Sequence, residues 1–391
     1  MAASLATITL LGLLSHKLFD RFKLPGLLGM MIVGVFIGPY GFDLLSYEII
    51  AASADLRKIA LIVILLRAGL GIKKEDIKKM GRPAIYMSFI PGLLEGFAII
   101  YISMRLFGFT FIQGGILGFI IAAVSPAVIV PSMLDLIEKG KGEEKSIPTL
   151  ILAGASMDDV FAITIFSTFL GIYSGHLINI KAKILTIPLS IFLGILAGTL
   201  IGIILVKIFE KYHIRDTKKM LYILASAILL TRVETMIKSK VEIAGLLGVM
   251  AIGFIIFEKA PKLGERMASK FNKVWVFAEI LLFVLIGAQV NVALALDAGL
   301  KGLVLLAIGL AARSVGVLLS LMGTELNRKE KLFCVLAYLP KATVQAAIGA
   351  IPLSLGVESG DLILSLAVLS ILITAPLGAV AIKIGGDKLL Q

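Results

Sequence analysis

Charge is scarce in this chain. Asp, Glu, Lys and Arg make up 16% of its 391 residues, while 59% are hydrophobic and the mean hydropathy is +1.02. Soluble domains carry about 25% charged residues, so this balance excludes a soluble enzyme and puts most of the length in a bilayer. Cysteine is nearly absent. Cys334 stands alone, which excludes an internal disulfide and a thiolate metal cluster and leaves a small apolar core residue. Histidine is as sparse: His16, His176 and His213 lie far apart, at or near the ends of apolar stretches, and read as interfacial residues rather than ligands. No metal site, cofactor or catalytic constellation is expected. The formal net charge of +12 is spread over many loops and collects on no single face, so it does not point to nucleic acid.

What the chain has in quantity is apolar runs of about 20 residues, the length that spans a bilayer as helix. They predict an all-α integral membrane protein of about thirteen spans: 3–16, 24–42, 56–72, 83–106, 112–136, 147–172, 184–208, 218–236, 241–257, 273–292, 298–322, 331–355 and 361–384. The first could be read as a signal peptide, but it has no basic region ahead of it and no small-residue cleavage site behind it, so a retained helix is expected. The connections after the odd-numbered spans, with the C-terminus, hold 26 of the 38 basic residues, and the opposite loops hold 9. Positive loops stay inside, which places the N-terminus outside and the C-terminus in the cytoplasm of a multi-pass protein of the cytoplasmic membrane.

The three remaining bases, Arg67, Arg313 and Lys341, sit within apolar spans. Four acids do so as well: Glu95, the adjacent pair Asp158 and Asp159, and Glu279. One Asp at the centre of a membrane helix costs roughly 2.5 to 3.5 kcal/mol, so two side by side mark an ion or proton site. Four carboxylates against three bases leave one carboxylate without a fixed partner. A single proton or monovalent cation would neutralise the set, as an exchange of one for the other requires.

Two spans carry breaks. Ser125-Pro-Ala-Val-Ile-Val-Pro131 puts prolines Pro126 and Pro131 at mid-depth, and Tyr338-Leu-Pro-Lys341 puts Pro340 beside a charge. Proline removes a backbone donor and unwinds the helix, and paired interruptions at corresponding positions of two halves point to a transport site. Spans 1 to 6 and 8 to 13 form two such halves of six helices, inverted relative to each other, with two crossed discontinuous helices. In this alignment Glu95 falls opposite Arg313.

Leu24-Pro-Gly-Leu-Leu-Gly29, Ile37-Gly-Pro39, Ala122-Ala-Val-Ser-Pro-Ala127, Ser156-Met-Asp-Asp159 and Leu339-Pro-Lys-Ala-Thr-Val-Gln345 together resemble the monovalent cation:proton antiporters, nearest to the sodium/proton antiporter branch called NHA. The resemblance runs over essentially the whole chain. It implies a homodimer of thirteen-helix subunits, with a mobile core (83–172 and 298–385) and a dimerisation scaffold (1–72 and 184–292). It also implies that Asp159 is the principal cation and proton carrier and that Asp158 assists or pairs with a base. Charge-moving members with an acid pair usually have lysine where Arg313 stands. Arginine does not deprotonate, so it suits a structural ion pair with Glu95 better than proton transfer. Lys341 is the other base of the core: it either offsets the partial negative end of a half-helix or pairs with Asp158 and exchanges its proton with it, a coupling role.

Adjacent buried carboxylates repel and titrate as one coupled pair, so proton and cation compete for them. Oxygens from Asp158, Asp159, Ser156, Ser125 and carbonyls freed near Pro126 would suit sodium or lithium. The expected function is alternating-access exchange of Na+ or Li+ for H+. A K+/H+ antiporter and a sodium-coupled symporter of organic anions are the alternatives. A relative of the first kind normally carries a nucleotide-binding domain after its last span, and the second needs no adjacent acid pair.

Overall fold

Among the described residues of the computed structural model (1–22, 24–72, 74–174, 180–237, 243–297 and 299–390) all regular structure is α-helical. His176 and the start of the run at 241–257 lie outside the described residues. Nine helices among the described residues are long and apolar enough to cross a membrane: Ala2–Arg21, Gly81–Phe107, Phe111–Glu138, Ile147–Tyr173, Pro188–Lys211, Asp216–Ile237, Pro261–Ala288, Gly299–Ser320 and Gly360–Leu389. The other apolar runs differ from the expected spans in length or charge. Gly26–Ile37 has 12 residues, about 18 Å at the helical rise, against about 30 Å of hydrocarbon. Gly245–Lys259 has 15 residues, and Ser53–Gly71 carries Asp55, Arg57, Lys58 and Arg67. The run at 331–355 is divided into Arg328–Ala337, Thr343–Ile348 and Ile351–Ser354.

The chain divides into two compact units, one of residues 1–51, 80–184 and 283–391 and the other of 52–79 and 185–282. In the second unit Ser53–Gly71 lies against Gly245–Lys259 at the glycines of both: a Cβ on Gly69 would overlap the Met250 carbonyl, and one on Gly253 the Leu66 carbonyl. Arg67 and Glu279 belong to this unit.

The first unit holds Glu95, Asp158, Asp159, Arg313 and Lys341. Its glutamate helix, Ile90–Phe107, ends at Gly108, whose φ of 70° is left-handed backbone that glycine adopts without strain. Three residues later a capping box of Thr110 and Gln113 opens the half-helix Phe111–Ile121. The backbone then leaves helical geometry at Ala122–Ser125 and resumes as Pro126–Glu138. Pro126 stands in the first turn of that second half-helix, where its missing N–H costs no hydrogen bond.

Pro131 departs from the expectation of a break at both prolines, because it lies inside Pro126–Glu138. The ladder has already ended before Pro126, and Pro131 removes only one further bond from a helix that continues past it. In the apolar 18-residue window of Phe111–Glu138 89% of the residues are buried, against 33% in that of Pro188–Lys211. Irregular backbone at membrane depth survives only where protein covers it. In contrast, Leu10, Phe192, Leu200 and Leu229 turn apolar side chains outward, as a lipid-facing surface does.

Candidate functional site

Five ionisable side chains meet in the first unit, and Arg313 on Gly299–Ser320 is their hub. Its guanidinium is fully buried. Nη1 donates to Glu95 Oε2 at 2.6 Å and also to the Ala122 carbonyl. Nη2 reaches both carboxylate oxygens of Asp158 at 3.2 Å. Nε donates to the Tyr338 carbonyl at 2.7 Å, and the guanidinium carbon stands 5.4 Å from the centre of the Tyr338 ring. The planar fork of arginine can serve these acceptors together, which an ammonium cannot.

Lys341 is the second base. Its Nζ donates to the same Glu95 Oε2 at 2.6 Å. Its backbone N–H donates to Thr374 Oγ1 on Gly360–Leu389, at 2.9 Å. Glu95 thus bridges two cations through one oxygen, while its Oε1 is buried without a hydrogen-bond partner among the described residues. The glutamate helix comes close to the acids because of Gly92: a Cβ there would sit 3.2 Å from Asp158 Oδ1.

The two aspartates of Ile147–Tyr173 differ in their surroundings. Asp158 is 1% exposed and its Oδ2 accepts the Val124 N–H at 2.8 Å, besides the contact with Arg313. Asp159 is 9% exposed, forms no ion pair among the described residues, and has Oδ1 buried without a hydrogen-bond partner. Three carboxylates against two bases leave an excess of one. The sequence tally of seven charges had the same excess, but Arg67 and Glu279 belong to the second unit and have interactions of their own.

The end of Phe111–Ile121 and the irregular backbone after it are held almost group by group from outside. The Ala122 carbonyl accepts from Arg313, and the Val124 N–H donates to Asp158. The Ser125 N–H donates to the Pro340 carbonyl at 2.9 Å, joining the two breaks directly. Gln345 Nε2 donates to the carbonyls of Ile120, Ile121 and Ala123 at 3.0, 3.3 and 2.8 Å. The carbonyls expected to be free near Pro126 are therefore largely engaged.

Of the sequence-predicted residues, Glu95, Asp158, Asp159, Arg313 and Lys341 come together, with the breaks at Pro126 and Pro340 beside them. Lys341 bonds to Glu95, and Asp158 takes Arg313 in its place. Ser125 is buried with its Oγ unpartnered among the described residues, whereas the Ser156 hydroxyl donates to the Leu152 carbonyl one turn back at 2.7 Å. Sequence reasoning missed Tyr338 and Thr374, which act through a carbonyl and a hydroxyl. Tyr338 stands two residues before Pro340, and Thr374 two before Pro376, the only signals that could have pointed to them.

The profile of one protein family, described as "Sodium/hydrogen exchanger, transmembrane", matches residues 5–384. The chain is 34% identical over 399 residues to human sodium/hydrogen exchanger 9B2, covering 98% of the chain and 72% of that protein. It is 36% identical over 397 residues to its Xenopus tropicalis counterpart, covering 97% and 73%. The fold resembles the structure of the sodium proton antiporter MjNhaP1 from Methanocaldococcus jannaschii, with a TM-score of 0.79, 20% identity, and 99% and 98% of the two chains covered.

Proposed function

Because the chain belongs to the sodium/hydrogen exchanger family, we propose that it exchanges Na+ or Li+ for H+ across a membrane by alternating access, with Asp159 carrying either ion. The observation that carries this reading is the division of labour in the acid pair. Asp158 is already satisfied by Arg313 and the Val124 N–H, while Asp159 has a buried oxygen with no partner among the described residues and belongs to a cluster with one carboxylate in excess. A bare carboxylate is costly to carry through a barrier of low dielectric; a protonated or cation-loaded one is not. That difference couples the two fluxes, since either load neutralises the same charge.

Ser125 follows Val124, whose N–H bonds to Asp158, and its Oγ, buried and unpartnered among the described residues, is an available oxygen ligand. Ser156 can accept through its remaining lone pairs while it donates to Leu152. Arg313 and Lys341 both bond to Glu95, and we read them as fixed counter-ions of the core, not as carriers. The wider arrangement we propose is a homodimer in the lipid bilayer. Its subunits have inverted halves and thirteen spans, with a core of 83–172 and 298–385 moving against a scaffold of 1–72 and 184–292.

The test is proton flux in proteoliposomes on addition of NaCl, LiCl or KCl, for wild type beside Asp159→Asn. Flux with Na+ or Li+, lost in a variant that melts like wild type, is expected. Retained flux in Asp159→Asn would overturn the site assignment, and a response to K+ alone would replace sodium by potassium as substrate.

A further inference from the structure

Gln345 stands on the short helix Thr343–Ile348, just past the second break, and is 2% exposed. Its amide nitrogen reaches the carbonyls of Ile120, Ile121 and Ala123, at the end of Phe111–Ile121 and into the first break. The last carbonyls of any helix lack intrahelical donors, and burial denies these ones water. Lysine or arginine near a helix C-terminus can satisfy such carbonyls. Arg313 does so here at Ala122, and at Ile120, Ile121 and Ala123 a neutral amide does, which adds no further cation beside the excess carboxylate. The same short stretch delivers the Val124 N–H to Asp158 and the Ser125 N–H to the Pro340 carbonyl.

Resting on the exchange reading above, we infer that Gln345 is a positioning residue for cation binding: its amide nitrogen clamps the carbonyls of residues 120, 121 and 123 and so holds Val124 against Asp158, keeping Asp158 committed and Asp159 available. The clamp joins the two broken segments, since its donor lies past one break and its acceptors lie at the other. Without it the three carbonyls lose their donor and turn within the break. The Val124 N–H then leaves Asp158, and the two aspartates compete for Arg313. The distinction between a committed and an available carboxylate is lost, so the cation meets a site of altered shape, while the moving parts of the cycle remain.

The test measures Na+ KM and Vmax for proton flux in proteoliposomes, with melting temperatures, for wild type, Gln345→Met and Gln345→Glu. Methionine keeps the length without the donor, and glutamate keeps an oxygen while replacing the donor. Both variants are expected to raise Na+ KM at least tenfold with Vmax within about threefold, a split that loss of folded protein alone would not produce. Wild-type KM in both would overturn the clamp. So would failure of Gln345→Met with a normal or lower KM in Gln345→Glu, since the side-chain oxygen would then be the working atom. Gln345→Asn withdraws the amide by one methylene and covers the case where the other two do not fold. It is expected to raise KM at least threefold, and a wild-type value there would overturn the inference. Wild type separates the two claims: no cation-dependent flux in it would remove the exchange reading itself. The clamp is then judged by melting, where wild-type stability in both Gln345→Met and Gln345→Glu would overturn it.

Discussion

At the scale of single residues, the ionic cluster works by unequal satisfaction. Arg313 is bonded on all three nitrogens, and Glu95 Oε2 is shared between Arg313 and Lys341. Removing one partner from a buried ionic network leaves uncompensated charge, which costs about 3 to 5 kcal/mol. Arg313→Ala is therefore expected to lower stability by that order, read by thermal melting in detergent, with a smaller proportional effect on the Na+ KM of the protein that still folds. A change in KM without loss of stability would make Arg313 a transport residue. The sequence placed an acid, Glu95, and a base, Arg313, inside separate apolar spans, and the structure pairs them at 2.6 Å. That Lys341 bonds to Glu95 and not to Asp158 was not legible. Side-chain reach across three helices selects among partners of the same sign.

At the scale of elements, the breaks decide where polar backbone is exposed to side chains. Phe111–Ile121 and Ile90–Phe107 approach so closely that a Cβ on Gly118 would overlap the Gly96 carbonyl. Gly118→Ala is accordingly expected to cost about 1 to 3 kcal/mol through overpacking, measured as a fall in melting temperature. Stability equal to wild type would mean that the two helices separate without penalty. Proline marked both interruptions in the sequence but not their extent. Pro126 begins a half-helix and Pro131 lies within it, because proline is tolerated in a first turn and one missing bond does not end a helix whose first five residues are all buried.

At the scale of the whole molecule, the bias of basic residues toward one set of loops sets the expected orientation. Cys334 is the sole cysteine and is buried, so a Cys334→Ala background permits single reporters. Tyr47→Cys, at a position 84% exposed, is expected to react with a membrane-impermeant maleimide from outside the cell. Lys388→Cys, near the end of Gly360–Leu389, is expected to react only after the membrane is opened. Labelling in the reverse order would invert the topology and, with it, which face of the membrane each break opens toward.

The sequence by itself determined that this chain is a helical membrane protein, that acids and bases stand inside its apolar spans, and that two of its helices are interrupted. Those conclusions rest on composition, on the length of apolar runs and on proline chemistry, all of which are local. Only the tertiary structure decided which charges meet: Arg67 and Glu279 fall in the other unit, Asp158 is bonded to Arg313 and Val124, and Asp159 has a buried oxygen without a hydrogen-bond partner among the described residues. It also revealed that Gln345 donates to the carbonyls of Ile120, Ile121 and Ala123, while Arg313 holds that of Ala122. Hydrogen bonds between residues more than two hundred positions apart depend on how helices cross, and no pattern within a single helix records that.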